Sequence, residues 1–207
     1  MTHWALGIGI PRLVCAGCGS RSRVFMNASW RDRWQQPEAV IRSLSLPPSA
    51  HVADLGAGGG YFTFRLADAV GPTGKVYAVD VDKGTLEYIA RRAKERGYTN
   101  VETILAKYDD PLLPEGKVDL IVTCNVYHHL ENRADYFKSA SRYLRPSGRI
   151  TIIDLGGQSW IHRLFGHWTP KETSRKEMEA AGYQLASEFD FLTRQNFQVF
   201  TLNGKRS

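Results

Sequence analysis

Val52-Ala53-Asp54-Leu55-Gly56-Ala57-Gly58-Gly59-Gly60-Tyr61-Phe62 is an apolar run that ends in a glycine cluster and leads into a helix-period pattern. Glycines at a strand end let backbone approach a bound group closely, and the helix that follows presents N–H groups with no intrahelical partner. A strand, a glycine turn and a helix make the opening unit of an open α/β sheet.

Outward from that loop the alternation continues. Residues 51–55 form the first strand, preceded by Pro47-Pro48. Phe62, Leu66 and Val70 recur at helical spacing until Gly71-Pro72-Thr73-Gly74 stops that helix. Residues 76–81 read as the second strand. Asp82 can cap the next helix, whose Leu86, Ile89, Ala90 and Ala93 share one face. Residues 101–106 and 118–123 read as strands three and four. A helix over 134–144, ended by Pro146 and Gly148, leads to a fifth strand over 149–154. Thr169-Pro170-Lys171-Glu172 reads as a capping box with proline at the first helical position, and Gly182 ends the helix it starts. Residues 183–191 and 197–202 are the last strands, and with no helix between them they pair antiparallel if they are neighbours. Residues 37–44 supply a short helix ahead of the sheet. The expected architecture is α/β: a Rossmann-like, doubly wound, seven-stranded sheet, mostly parallel, with an antiparallel C-terminal strand pair. Residues 30–204 make one domain behind a basic arm over residues 1–29.

Composition agrees with a single globular domain. The chain has 207 residues, 43% hydrophobic and 23% charged, which suits a packed core rather than a disordered tail. No apolar stretch reaches the ~18 residues that a membrane span requires. The net charge of +6 is unevenly placed. Arg12, Arg21, Arg23, Arg31 and Arg33 face only Asp32 in the first 36 residues, and Lys205 and Arg206 add charge at the other end. Residues 37–204 therefore balance, with 20 basic and 20 acidic side chains. A neutral body gives little reason to expect a large phosphate-tracking groove, so nucleic acid is not an expected partner. The first residues lack the basic n-region of a signal peptide, and Pro11-Arg12 breaks their apolar run. Cys15 and Cys18 have CxxC spacing but no second pair, and Cys124 is the third cysteine. Three thiols build no disulfide framework, which makes the cytoplasm the expected compartment.

The details of the glycine loop separate two cofactor classes. Asp54 stands two residues before Gly56, where a diphosphate would meet a fixed negative charge and a cationic ligand would be favoured. Asp80 ends the second strand, where a carboxylate can accept hydrogen bonds from both ribose hydroxyls. Asp54, Gly56-x-Gly58-x-Gly60 and Asp80 together resemble the cofactor motif of class I S-adenosylmethionine-dependent methyltransferases. The likeness extends over about residues 30–202 and is similar in flavour to the quinone-biosynthesis small-molecule methyltransferases. The resemblance implies S-adenosyl-L-methionine as cofactor. Gly56, Ala57 and Gly58 then pass under its amino-acid end, with Gly60 and Tyr61 completing the loop, Asp80 on the ribose and Val81 beside the adenine. The chain departs from the family at the third strand: Lys107 stands where an acid often reads the adenine amino group. Either Asp109 takes that role, or Tyr108 and backbone groups do.

Thr123-Cys-Asn125-Val-Tyr127-His128-His129-Leu130 follows the fourth strand and should border the transferred methyl group. Asn125 is a cofactor contact in this reading. His128 is the first candidate for a general base and Tyr127 its helper, while an aromatic cluster packed under the next helix fits the same residues equally well. Trp34, His129, His167 and Trp168 are placed on the substrate side, with Trp30, Gln35 and His162 near the same cover. No third ligand accompanies His128 and His129, so no metal is expected. The expected reaction is in-line methyl transfer to a small, partly apolar acceptor. The rival readings are a non-catalytic S-adenosylmethionine-binding sensor or scaffold, a nicotinamide-dependent oxidoreductase, and, less favoured, arsenic methylation through the three cysteines. The oligomeric state is not legible.

Overall fold

The computed structural model describes residues 31–156 and 168–204, so the basic arm over residues 1–29, Cys15, Cys18, Trp30, His162 and His167 lie outside the described residues. Two short helices, α1 (Asp32–Gln35) and α2 (Pro37–Leu44), precede β1 (His51–Leu55). The alternating units are α3 (Thr63–Val70), β2 (Lys75–Asp80), α4 (Lys83–Glu95), β3 (Val101–Leu105), β4 (Val118–Cys124), α5 (Arg133–Ala140) and β5 (Leu144–Leu155). Then come α6 (Lys171–Ala180), β6 (Tyr183–Phe189) and β7 (Gln195–Leu202).

The seven strands form one sheet in the order β3-β2-β1-β4-β5-β7-β6. Strands β1 to β5 pair in parallel, and β7 runs antiparallel to both β5 and β6. The reversal of strand order at β1 and β4 opens a crevice at their carboxyl ends. Because β7 is reversed, its first residue reaches that same edge: Gln195 pairs with Leu155 at the end of β5.

Both faces of the sheet are buried, as a parallel sheet requires. Leu55, Tyr77, Val79, Ile121, Ile150 and Ile152 pack with Phe137 of α5 and Met178 of α6 on one face. Val52, Val76, Leu120 and Val122 pack with Val40 and Leu44 of α2 and with Leu66 and Val70 of α3 on the other. Asp82 caps α4 as expected, its carboxylate accepting from Thr85 N–H at 2.8 Å.

Two boundary expectations are corrected. The helix expected to run to Leu144 stops at Ala140, followed by a 3₁₀ turn over Ser141–Tyr143, and Leu144 already pairs with Val118 as strand. Pro146 has no N–H to offer the Arg142 carbonyl. Gly116 N–H takes that carbonyl at 3.0 Å and Lys117 N–H takes the next at 3.1 Å. The capping box also fails. Helix α6 begins at Lys171 behind Pro170, and the Thr169 hydroxyl is buried with no hydrogen-bond partner among the described residues. Thr169 is held to the sheet instead: its N–H donates to the Leu155 carbonyl at 3.0 Å, and Asn196 donates to its carbonyl at 2.9 Å.

Phe197 anchors β7 from beneath, fully buried between Phe189 and Phe191 with ring centroids at 4.6 and 5.8 Å. Phe197→Ala should destabilise the fold by about 3–5 kcal/mol. Urea unfolding checks this, with a lower midpoint and an unchanged slope expected.

Candidate functional site

Three backbone turns through the left-handed region shape the loop after β1: Gly56, Gly58 and Gly60 have φ of 74°, 52° and 79°. Gly56 leaves no room for a side chain, because a Cβ there would lie 2.3 Å from a methyl of Val126, the residue that follows Asn125. The loop is thus seated against the segment beyond β4. Gly56 and Ala57 N–H both donate to the Val79 carbonyl at 2.8 and 3.0 Å, fastening the loop to β2.

Asp80 completes that fastening. One carboxylate oxygen accepts from Gly58 N–H at 3.0 Å and the other from Asp82 N–H at 3.0 Å. A carboxylate has about four acceptor positions, so two further bonds remain within its capacity. Val81 and Leu105, at the ends of the neighbouring strands, are large apolar side chains left substantially exposed. Tyr108 is 79% exposed, and Lys107 and Asp109 beside it are also exposed. Asp110 is committed elsewhere: it accepts from Tyr143 Oη and an Arg142 nitrogen, both at 2.6 Å.

Asp54 is buried to 3% exposure and accepts a 2.6 Å hydrogen bond from the Thr63 hydroxyl. Burial raises its pKa to about 6, and the nearby Asp80 charge acts in the same direction, while the Thr63 hydrogen bonds oppose the shift. A buried carboxylate beneath a glycine loop favours a cation above it. Tyr61, which follows Gly60, is packed rather than open. Its hydroxyl donates to Asp32 at 2.5 Å, and Arg31 and Arg65 lie over its ring at 4.1 and 4.3 Å.

The segment after β4 divides its candidates. Asn125 adopts φ 56° and accepts from the Gln195 side-chain amide at 2.8 Å. Tyr127 belongs to the core rather than to the crevice, which corrects its expected place beside His128. Its ring is fully buried and stacked on Phe137, and its hydroxyl donates to Glu177 at 2.7 Å. Burial and that carboxylate hold the phenol well above its ordinary pKa. His128 is oriented by Asp154 at the end of β5. Its ring Nδ1 lies 2.7 Å from one carboxylate oxygen, and its backbone N–H donates to the other at 3.1 Å. Both side chains are nearly buried, at 5% and 2% exposure. With Asp154 accepting, the Nδ1-protonated tautomer is the one this pairing favours. His129 is exposed, its ring centroid 4.0 Å from that of His128. Among the described residues no group of three His, Cys, Asp or Glu converges on one point.

Three more polar residues reach the crevice edge. Gln35 is fully buried, and its amide donates to Gln195 Oε1 at 3.2 Å and to the Cys124 sulfur. Gln195 links this pair to Asn125. Burial pushes the Cys124 thiol up to about 12, which keeps it protonated and unsuited to bind a metalloid as a thiolate. Trp34 lies on α1 with the Arg194 guanidinium 5.7 Å from its ring. Trp168 is partly buried at the point where the described chain resumes. Asp154 and Gln195 were not singled out from sequence; the position of Asp154 at a strand end was a usable signal, whereas nothing local marks Gln195.

A family model described as a methyltransferase domain matches residues 47–196. Curated relatives include a demethylmenaquinone methyltransferase of Lactococcus lactis subsp. lactis (strain IL1403), 31% identical over 128 residues, covering 60% of this chain and 47% of the relative. A second, of Geobacillus sp. (strain WCH70), is 26% identical and covers 64% and 57% respectively. The chain spans about half the length of these relatives. In fold it is similar to a crystal structure of a SAM-dependent methyltransferase from Aquifex aeolicus, with a TM-score of 0.80 at 21% identity, over 88% of this chain and 97% of that one.

The raised pKa of Asp54 gives stability a definite slope. The folded protein holds a proton at Asp54 at pH values where the unfolded chain has released it, so this group favours folding as pH falls through about 6. Asp54→Asn removes that term. The difference in unfolding free energy should move in the variant's favour by on the order of 2 kcal/mol between about pH 4 and pH 7. Denaturant titrations at the two pH values check this, and a constant difference contradicts it.

Proposed function

The chain belongs to the methyltransferase-domain family, and on that premise we propose that it transfers the methyl group of S-adenosyl-L-methionine to a small, partly apolar acceptor, with His128 as general base. The observation that carries this reading is the loop of Gly56, Gly58 and Gly60 fastened to Asp80 above the buried Asp54. These residues fit the cofactor by their own chemistry. The cradle has no space for a side chain at 56, Asp80 has acceptor capacity for ribose hydroxyls, and Val81, Leu105 and Tyr108 offer apolar surface beyond it. Asp54 supplies negative charge below the cationic end. A nicotinamide dinucleotide would instead bring a diphosphate to that carboxylate.

The cofactor supplies a methyl group activated by positive sulfur, so the protein's part is alignment, water exclusion and proton removal. Asn125, held by Gln195, and the glycine loop fix the approach from two strand ends. An acceptor hydroxyl, thiol or amine must lose a proton as its lone pair attacks. His128 receives it in this reading, and Asp154 holds the ring and stabilises the charge that develops on it. The acceptor class rests on the charge-neutral body between residues 37 and 204, which offers little to a nucleic acid, and on the quinone-methylating names of the relatives. A quinol or phenol has the required acidic hydroxyl on an apolar ring.

The test is a turnover assay with labelled cofactor and a panel of quinols, phenols, amines and thiols beside total RNA. Label in a phenol or quinol supports the proposal. His128→Ala should then lose roughly 10²–10⁴-fold in turnover, with cofactor affinity retained. Label chiefly in RNA contradicts the acceptor class, and binding without turnover across the panel favours a sensor.

A further inference from the structure

A directional chain of polar side chains runs along the β7 side of the crevice, and its first member sets the sense of the rest. Arg31 can only donate. Its Nε and one terminal nitrogen reach Gln35 Oε1 at 3.0 and 2.6 Å, which makes that oxygen the acceptor and turns the Gln35 amide nitrogen toward the wall. From there the Gln35 N–H groups donate to Gln195 Oε1 at 3.2 Å and to the Cys124 sulfur. With its oxygen so engaged, Gln195 presents its own nitrogen to Asn125 Oδ1 at 2.8 Å. Turning over either glutamine amide would set donors against donors or acceptors against acceptors. Gln35 and Gln195 are buried, at 0% and 3% exposure, so bulk water does not relieve such a mismatch.

The chain ends at Asn125. Its side-chain oxygen is used, and its amide nitrogen, which carries two N–H donors, has no partner among the described residues. Asn125 is half-buried and follows the carboxyl end of β4, so this nitrogen is fixed and still within reach of a ligand. The bond to Gln195 draws the side chain toward the β7 wall. The glycine loop and Asp80 stand at the ends of β1 and β2, on the other side of β4.

We propose that Gln195 is a positioning residue that makes Asn125 the hydrogen-bond donor of the acceptor site, and that Asn125 holds an oxygen of the methyl acceptor, a carbonyl or an ionised phenol. The inference rests on the acceptor reading above and narrows it. A ligand group that only donates, such as an ammonium, meets the wrong end of the amide, whereas an acceptor oxygen completes the chain that Arg31 begins. Each bond in such a chain polarises the next, so a cationic start strengthens the donor at the far end.

The test is fluorescence titration of the full chain with S-adenosylhomocysteine and then, in its presence, with two probes. One is 2,3-dimethyl-1,4-naphthoquinone, which offers only acceptor oxygens, and the other is 2,3-dimethylnaphthalene, which has none. The parent should bind the quinone more tightly. Asn125→Asp keeps the bond from Gln195 but shows an acceptor to the crevice. It should lose about ten- to a hundredfold in quinone affinity and change hydrocarbon affinity by less than about threefold. Gln195→Met frees the Asn125 amide to turn. It should lose about three- to tenfold for the quinone alone, and cost nothing further when added to Asn125→Asp. Retained binding of S-adenosylhomocysteine shows that each variant is folded. Equal losses for both probes would overturn the proposal by making Gln195 a general support of the wall. A loss confined to S-adenosylhomocysteine would overturn it by placing the cofactor against the amide. A parent chain that binds S-adenosylhomocysteine without preferring the quinone overturns it and leaves the cofactor reading standing, whereas a parent that binds neither overturns both.

Discussion

The Asp80 carboxylate is the constraint from which the crevice follows. By accepting Gly58 N–H and Asp82 N–H at once it joins the glycine loop after β1 to the helix entry after β2. Without it, a loop with three left-handed glycines would be held only by its Gly56 and Ala57 bonds to the Val79 carbonyl and by its packing against Val126. With it, and with Gly56 pressed against Val126, the ends of β1, β2 and β4 become one rigid edge. The buried Asp54 is tolerated because Thr63 satisfies it, and its raised pKa measures the cost of keeping a carboxylate there. Such costs are typical of groups retained for binding rather than for stability.

The opposite wall depends on the reversal of β7. A parallel strand beside β5 would bring its last residue to the crevice; the reversed strand brings its first. Gln195 therefore meets Asn125, Gln35 and Cys124, and α1 is drawn down onto the sheet edge. Asp154, on β5 between β4 and β7, can then hold His128 in a nearly buried pair. A buried pair of this kind contributes less to stability than to geometry, because desolvation offsets most of its attraction.

Much of the fold could be read in the sequence because its signals are local. Apolar runs, the glycine loop, the Asp82 cap and the Gly182 stop each depend on a few adjacent residues, and the strand assignments follow from them. The two misplaced boundaries have non-local causes. Beyond the helix end at Ala140, Gly116 takes the Arg142 carbonyl that Pro146 cannot serve and Lys117 takes the Tyr143 carbonyl, and Thr169 is drawn to the sheet by Leu155 and Asn196. The same division holds at the site. The positions of Asp54 in β1 and Asp80 at the end of β2 were legible from spacing. Tyr127 was not resolved, because its partner Glu177 lies 50 positions away. Gln195 had no signal at all, since its place depends on the direction in which a distant strand enters the sheet.

The Asp80-fastened loop is built for an adenosyl sulfonium cofactor rather than a dinucleotide. Calorimetric titration of the full chain with S-adenosylhomocysteine and with NAD, repeated on Asp80→Ala, tests it most directly. Expected are micromolar binding of S-adenosylhomocysteine, no heat with NAD, and a loss of about 1.5–3 kcal/mol in the variant, the scale of hydrogen bonds to a charged group. Comparable affinity for NAD, or an Asp80→Ala variant that binds S-adenosylhomocysteine as tightly as the parent, would contradict it.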